Sequence, residues 1–165
     1  MSASSSPIPT AFRPHDHRAC RGRGIAAARE LCAERRLRLT PARAFVLETL
    51  LDSHRAMTAY EVLEALAAAG LGGQPPVAYR ALDFLVVNGL AHRIERLGAY
   101  TACSHAGTAH DAGFLICRSC RHVAEALLGG PAEELLAEAA AAGFTIERTV
   151  LEAEGLCARC RGSGE

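Results

Sequence analysis

The chain has 165 residues, half of them apolar and 22% charged, a composition that excludes a disordered chain and allows one domain or two small ones. It holds no apolar run long enough to span a membrane and no secretory h-region, so a cytoplasmic protein without a membrane partner is expected, in which seven Cys and seven His point to metal rather than disulfides. Net charge is zero, but residues 1–98 carry 13 Arg against 9 acids and residues 99–165 carry 5 Arg against 9, an asymmetry expected where one half meets a polyanion.

Residues 1–24 open Ser/Pro-rich and are predicted to be a disordered tail. His15, His17 and Cys20 within it are metal-ligand types, but a solvated tail is the simpler reading. Residues 25–38 have the apolar spacing of an amphipathic helix. Thr40-Pro41 reads as an N-cap followed by proline at the first helical position. Thr58 and Glu61 form a capping box for a helix that stops at Gly70. Pro75-Pro76 starts another, ending at Asn88-Gly89. The segments LAHRIERL and AYTAC, separated by Gly98, read as two strands of a hairpin. Helices followed by such a hairpin predict a winged helix-turn-helix domain over 25–103. Residues 104–112 are a small, polar hinge.

A second unit is predicted over 113–165, with strands at FLIC and HVAEAL, a helix from Pro131 to Ala142 and a strand from Phe144 to Glu154. The expected fold class is therefore α+β: a winged helix and a small α/β dimerisation domain. A unit of about 50 residues rarely closes a core without a metal or a partner subunit.

Cys117-x-x-Cys120 and Cys157-x-x-Cys160 are the most specific local signal. Two such pairs offer four thiolates to one tetrahedral zinc, which would tie together the ends of the second unit. A redox CxxC or unpaired buried thiols are the competing readings. A looser set comprises His92 on the first wing strand, Cys103 beyond the second, His110 in the hinge and Glu125 in the second unit. Two imidazoles, a thiolate and a carboxylate suit a closed tetrahedral zinc, better fitted to sensing than to catalysis. Against that stands the plainer reading of each residue as surface or core filler. His105, Asp111 and His122 are spare ligand types for a further site.

LTPAR, AYEVLEAL, PPVAYRALDFLVVNGLAHRIE, FLICRSC and GLCARC together resemble the ferric uptake regulator superfamily over residues 25–161. YRALDFL, GLAHRIE and the wing-exit cysteine look most like its zinc uptake regulator branch. The resemblance implies a homodimeric, zinc-dependent repressor of zinc uptake genes that binds double-stranded operator DNA at an inverted repeat. It implies two zinc ions per subunit: a structural one on Cys117, Cys120, Cys157 and Cys160, and a regulatory one on His92, Cys103, His110 and Glu125. It places the recognition helix at residues 76–88, with Tyr79 and Arg80 facing DNA and Tyr60 as a further contact; Arg35, Arg36, Arg38 and Arg43, which cluster before and within the second helix, offer further contacts to the DNA backbone. Where the superfamily commonly reads T-V-Y-R, this chain has Val77-Ala78-Tyr79-Arg80 and lacks the hydroxyl. A nickel, iron or peroxide sensor of the same fold is the near alternative, and Cys103 argues against the last two. A zinc enzyme or a CxxC thiol oxidoreductase is the alternative from another class. No nucleophile–base motif is present, and no catalytic residue is expected.

Overall fold

The computed structural model of the chain describes residues 9–108, 110–128 and 133–162. Among them, a short 3₁₀ turn (Thr10–Phe12) precedes α1 (His17–Glu34), α2 (Pro41–Leu51), β1 (Met57–Thr58), α3 (Ala59–Ala68), α4 (Pro75–Val87), β2 (Ala91–Ile94) and β3 (Ala99–Ala102). A second group follows: β4 (Asp111–Cys117), β5 (Val123–Leu128), α5 (Glu133–Ala141), β6 (Leu151–Gly155) and α6 (Ala158–Arg161). The order is that of an α+β winged helix joined to a small sheet-based unit.

Local chemistry sets the helix starts. Asp16 caps α1 by accepting from the Arg18 and Ala19 N–H groups. Thr40 caps α2 through the Arg43 N–H. Thr58 and Glu61 make the reciprocal capping box of α3, which satisfies donors the helix itself leaves unpaired. Gly89, after α4, sits at φ +70°, a left-handed turn that costs glycine little and lets the Leu90 N–H reach back to the Leu85 carbonyl at 2.8 Å.

The tail expectation for residues 1–24 is corrected at its C-terminal end. Residues 1–8 lie outside the described residues, but α1 begins at His17, not near Ile25. The Asp16 cap supplies a start signal nine residues upstream of the apolar periodicity. The last strand is also shorter than expected. The ladder with β4 begins only at the Gly113–Leu151 pair, and residues 144–150 form no strand. α5 begins at Glu133; Pro131 lies outside the described residues.

Two sheets result. The wing sheet has the order β1-β3-β2, and the second sheet β5-β4-β6. In the latter, β4 runs antiparallel to β5 and parallel to β6. One core lies among α1–α4, around Val46, Leu50, Leu66, Leu82, Leu85 and Leu90. A second joins Ala56, Ile94 and Ala99 of the first unit to Phe114, Ile116 and Val123 of the second. The small sheet thus buries its apolar face against the wing. Polar contacts run alongside: the Val123 N–H donates to the His54 carbonyl at 2.8 Å, and Glu152 accepts from the Glu95 and Arg96 N–H groups at 2.7 and 2.9 Å.

Leu82 has no exposed surface. Leu82→Ala is expected to destabilise the chain by about 2–5 kcal/mol, the transfer and cavity cost of a buried leucine, read as a lower urea midpoint with an unchanged m-value.

Candidate metal centres and nucleic-acid interface

The parallel pairing of β4 with β6 sets Cys117 opposite Gly155, which brings the two CxxC segments side by side. Cys117 ends β4, and Cys157 stands at the N-cap of α6. The four sulfurs of Cys117, Cys120, Cys157 and Cys160 lie within 4.8 Å of one another, with Cys120 and Cys157 3.9 Å apart. Tetrahedral zinc with Zn–S bonds of about 2.3 Å separates its sulfurs by about 3.8 Å, so the set fits that ion. Burial raises the Cys117 thiol, but N–H groups of Cys157, Cys120 and Ser119 aimed at its sulfur outweigh that and bring it down to about 6. Burial and the neighbouring Cys117 and Cys160 push Cys120 up to about 11. A cation is what lets all four ionise together.

The second set converges at the junction of the two units. His92 comes from β2 and faces Thr101 across the hairpin. Cys103 follows β3, His110 precedes β4, and Glu125 lies on β5 opposite Phe114. One ligand atom from each lies within 4.8 Å of the others. Glu125 Oε1 is 2.5 Å from His110 Nε2 and 3.3 Å from His92 Nε2, and the Cys103 sulfur lies 3.9 Å from Oε1. The carboxylate is 97% buried, its side chain only 3% exposed. Its other oxygen accepts the Ser104 N–H at 2.8 Å.

Two features of this set suit a metal. His110 Nδ1–H donates to the Thr108 carbonyl at 2.7 Å, which turns the Nε2 lone pair toward Glu125. A lone pair facing a carboxylate oxygen is repulsive unless a proton or a cation lies between them. Burial raises Glu125, but the bond from His92, the Ser104 N–H and the charges of His92 and His110 win and bring it down to about 2. Burial and the Glu125 charge instead push the Cys103 thiol up to about 12, so this thiol needs a cation to ionise.

His105 stands at the rim, its Nδ1 3.7 Å from Glu125. His122 lies elsewhere, its Nδ1 donating to the Cys120 carbonyl at 3.2 Å. The Asp111 side chain lies outside the described residues. The three spare ligand types therefore make no cluster among the described residues.

The structure gathers a third group instead, His15, Cys20 and His54. His54 was not singled out by sequence reasoning. It stands 34 residues from Cys20, just past the end of α2, and no local spacing links it to them. Of the seven cysteines, Cys32 alone belongs to none of these groups; it is packed in the helical core.

On α4, Ala78, Ala81, Leu82 and Leu85 are buried, while Tyr79, Arg80 and Asp83 face outward. Tyr79 is 52% and Tyr60 67% exposed. Arg80 Nε donates to the Pro76 carbonyl at 3.0 Å and remains at the surface. Arg43 is held more tightly: its guanidinium lies 3.8 Å from the centre of the Phe84 ring and donates to the Arg38 carbonyl at 2.7 Å. Arg35, Arg36 and Arg38 are exposed beside it. The Gln74 N-cap makes no side-chain cap bond.

The hairpin of the winged helix thus shares a buried His/Cys/Glu cluster with the cysteine-knuckled sheet. No protein-family model matches the chain. It is 37% identical over 137 residues to the zinc uptake regulation protein of Escherichia coli (strain K12), covering 82% of this chain and 80% of that one. A zinc uptake regulator complexed with zinc and DNA superposes with a TM-score of 0.80 at 35% identity, covering 87% of this chain and 96% of that one. Holo XcZur superposes at 0.75, with 41% identity and 84% and 96% coverage; apo XcZur, at 40% identity and 87% and 99% coverage, reaches only 0.50. The chain belongs to the zinc uptake regulator family.

Glu125 ionises below its ordinary value of 4.5 in the folded chain. In metal-free protein its contribution to stability is therefore full above pH 4.5 and is lost as the pH falls toward 2. Glu125→Gln is expected to flatten that part of the acid-unfolding curve followed by circular dichroism; superimposable curves would contradict it.

Proposed function

We propose that the chain is a dimeric, zinc-responsive repressor of zinc uptake genes, holding two zinc ions per subunit and binding operator DNA in the cytoplasm. The observation that carries this reading is the junction cluster: His92 and Cys103 belong to the wing, His110 to the hinge, and Glu125 to the second sheet. The four-cysteine set is the structural centre in this reading, and the junction set the regulatory one. Membership of a family of regulators, with a zinc- and DNA-bound relative of closely similar fold, supports both the DNA function and a non-enzymatic role.

A bound ion supplies a positive centre that allows Cys103 to ionise beside the Glu125 carboxylate. The chain's own residues do the rest. His92 and Cys103 carry the wing hairpin, and Glu125, fixed by the Ser104 N–H, anchors it to the second sheet. Only the arrangement with all four side chains converged satisfies the ligands, and that difference between arrangements is the coupling. A typical coupling of about 1–3 kcal/mol corresponds to a roughly 5–150-fold change in DNA affinity. The stronger likeness to holo than to apo XcZur, at nearly equal identity, supports reading the described arrangement as the DNA-competent one.

Dimerisation is supported by apolar side chains the second unit leaves uncovered, among them Leu127, Leu135, Leu136, Phe144 and Leu151. Such exposure in a small unit marks an interaction surface. Two α4 helices in a dimer would enter successive major grooves of an inverted repeat, presenting Tyr79 and Arg80, with Tyr60 alongside. Arg43, pinned on Phe84, acts as a backbone contact. Among the described residues no helix is long and apolar enough to cross a membrane.

Two mutants distinguish the centres. Cys120→Ser is expected to lose the structural zinc, the dimer and much secondary structure, because a unit this small draws folding energy from its metal. Cys103→Ser is expected to remain a folded dimer, to bind one zinc fewer per subunit, and to lose zinc-induced tightening on operator DNA while keeping weak, salt-sensitive binding. Zinc-dependent tightening as strong as the parent's in Cys103→Ser would overturn the assignment.

Arg80→Ala is expected to weaken operator binding by about 1–3 kcal/mol if the guanidinium reads a base edge, leaving random DNA unaffected. A phosphate contact would instead weaken both and reduce the salt slope by about one. Unchanged binding to operator and random DNA alike would remove Arg80 from the interface.

A further inference from the structure

We infer that His15, Cys20 and His54, with His17 beside them, form a third metal site, separate from the junction and four-cysteine centres and suited to a zinc-type divalent cation. One ligand atom from each of His15, Cys20 and His54 lies within 4.8 Å of the others. The His15 and His54 Nε2 atoms are 3.0 Å apart, and the Cys20 sulfur is 3.9 Å from His54 Nε2. Ligands of a tetrahedral zinc, with Zn–N near 2.0–2.1 Å and Zn–S near 2.3 Å, stand roughly 3.3–3.8 Å apart.

Orientation favours ligation. His15 Nδ1–H donates to the Arg13 carbonyl at 3.0 Å, an arrangement that directs Nε2 to an ion. Nε2 meets His54 Nε2 head-on, so one proton or one cation must lie between the two. The three rings of His15, His17 and His54 sit with centroids 4.5–4.9 Å apart. His17 Nδ1, beside the group, is buried without a hydrogen-bond partner. His17 and Cys20 lie three residues apart on α1, on one face of its first turn.

The site joins three pieces of chain. His15 precedes α1, Cys20 lies at the end of its first turn, and His54 follows α2. The His54 carbonyl accepts the Val123 N–H of β5, and Arg55 pairs with His122 in a β-bridge. A cation held here would tie the start of α1 to the segment on which the second sheet rests. A cavity of about 650 Å³ lined by Cys20, His54, Cys103 and Glu125 among others lies between this group and the junction centre, so the two sites can fill side by side.

The test uses the full-length protein and zinc alone as probe. Zinc per subunit is counted by mass spectrometry after equilibration with a chromophoric chelator that sets free zinc. The parent is expected to hold three ions, Cys20→Ser and His54→Gln two each, Cys103→Ser two, and His54→Gln with Cys103→Ser one. Cobalt is then used as a spectroscopic substitute: Cys20→Ser should remove one thiolate-to-cobalt charge-transfer contribution while those from Cys103 and the four-cysteine centre remain. Far-ultraviolet circular dichroism matching the parent's shows that His54→Gln has folded. Zinc content and cobalt spectra in folded Cys20→Ser and His54→Gln equal to the parent's would overturn the inference. The same holds if a third ion survives in both variants. Loss of the Cys103-dependent ion alone fails the junction assignment without touching this site.

Discussion

A carboxylate buried from water at the meeting point of two structural units constrains everything around it. Removing an ionised carboxylate from water carries a penalty of several kcal/mol that close, well-aimed partners must offset. Glu125 draws those partners from three directions: the Ser104 backbone from the wing exit, His92 from the wing strand and His110 from the hinge. No one of these segments could move away without leaving a charge unpaired in the interior. Glu125 thus links the wing, the hinge and the second sheet at one buried point.

The surrounding contacts divide into a permanent and an adjustable part. Ile94 and Ala99 of the wing pack on Phe114, Ile116 and Val123, a non-directional apolar contact that holds the units together over a range of angles. Around it lie exposed polar links: Arg96 with Glu154, and Arg148 with Glu95. Exposed ion pairs of this kind contribute little and weaken with salt. The directional, desolvated group is the junction cluster, so that cluster is what can select a single angle. The four-cysteine set has a different task. It closes the end of a three-stranded sheet whose apolar face is shared with the wing and whose other surfaces carry uncovered leucines.

The winged helix was largely legible in the chain because its signals are local. The Thr40-Pro41 start, the Thr58/Glu61 box and the Asn88-Gly89 stop act over one or two helical turns, and the helix bounds followed them within a residue or two. Two errors arose where a local signal was outweighed. Asp16 capped α1 ahead of its apolar stripe, drawing residues 17–24 out of the expected tail. The segment 144–150 has strand-like composition, but a strand needs a neighbour's N–H and C=O groups, and the register of β4 supplies them only from Leu151.

By itself, the sequence determined the two cysteine knuckles, the helix punctuation, the division into a basic and an acidic half, and the residue types offered to metals, since each depends on neighbours a few positions apart. Only the tertiary structure decided which offers meet. Glu125 reaches His92 and Cys103 because β5 packs against the wing, and His105 comes to the rim while His122 is turned away. His54 joins His15 and Cys20 across 39 and 34 residues because α1 folds back along α2. Pairing at such separations is fixed by how apolar faces pack, and packing depends on the whole set of side chains rather than on any spacing along the chain.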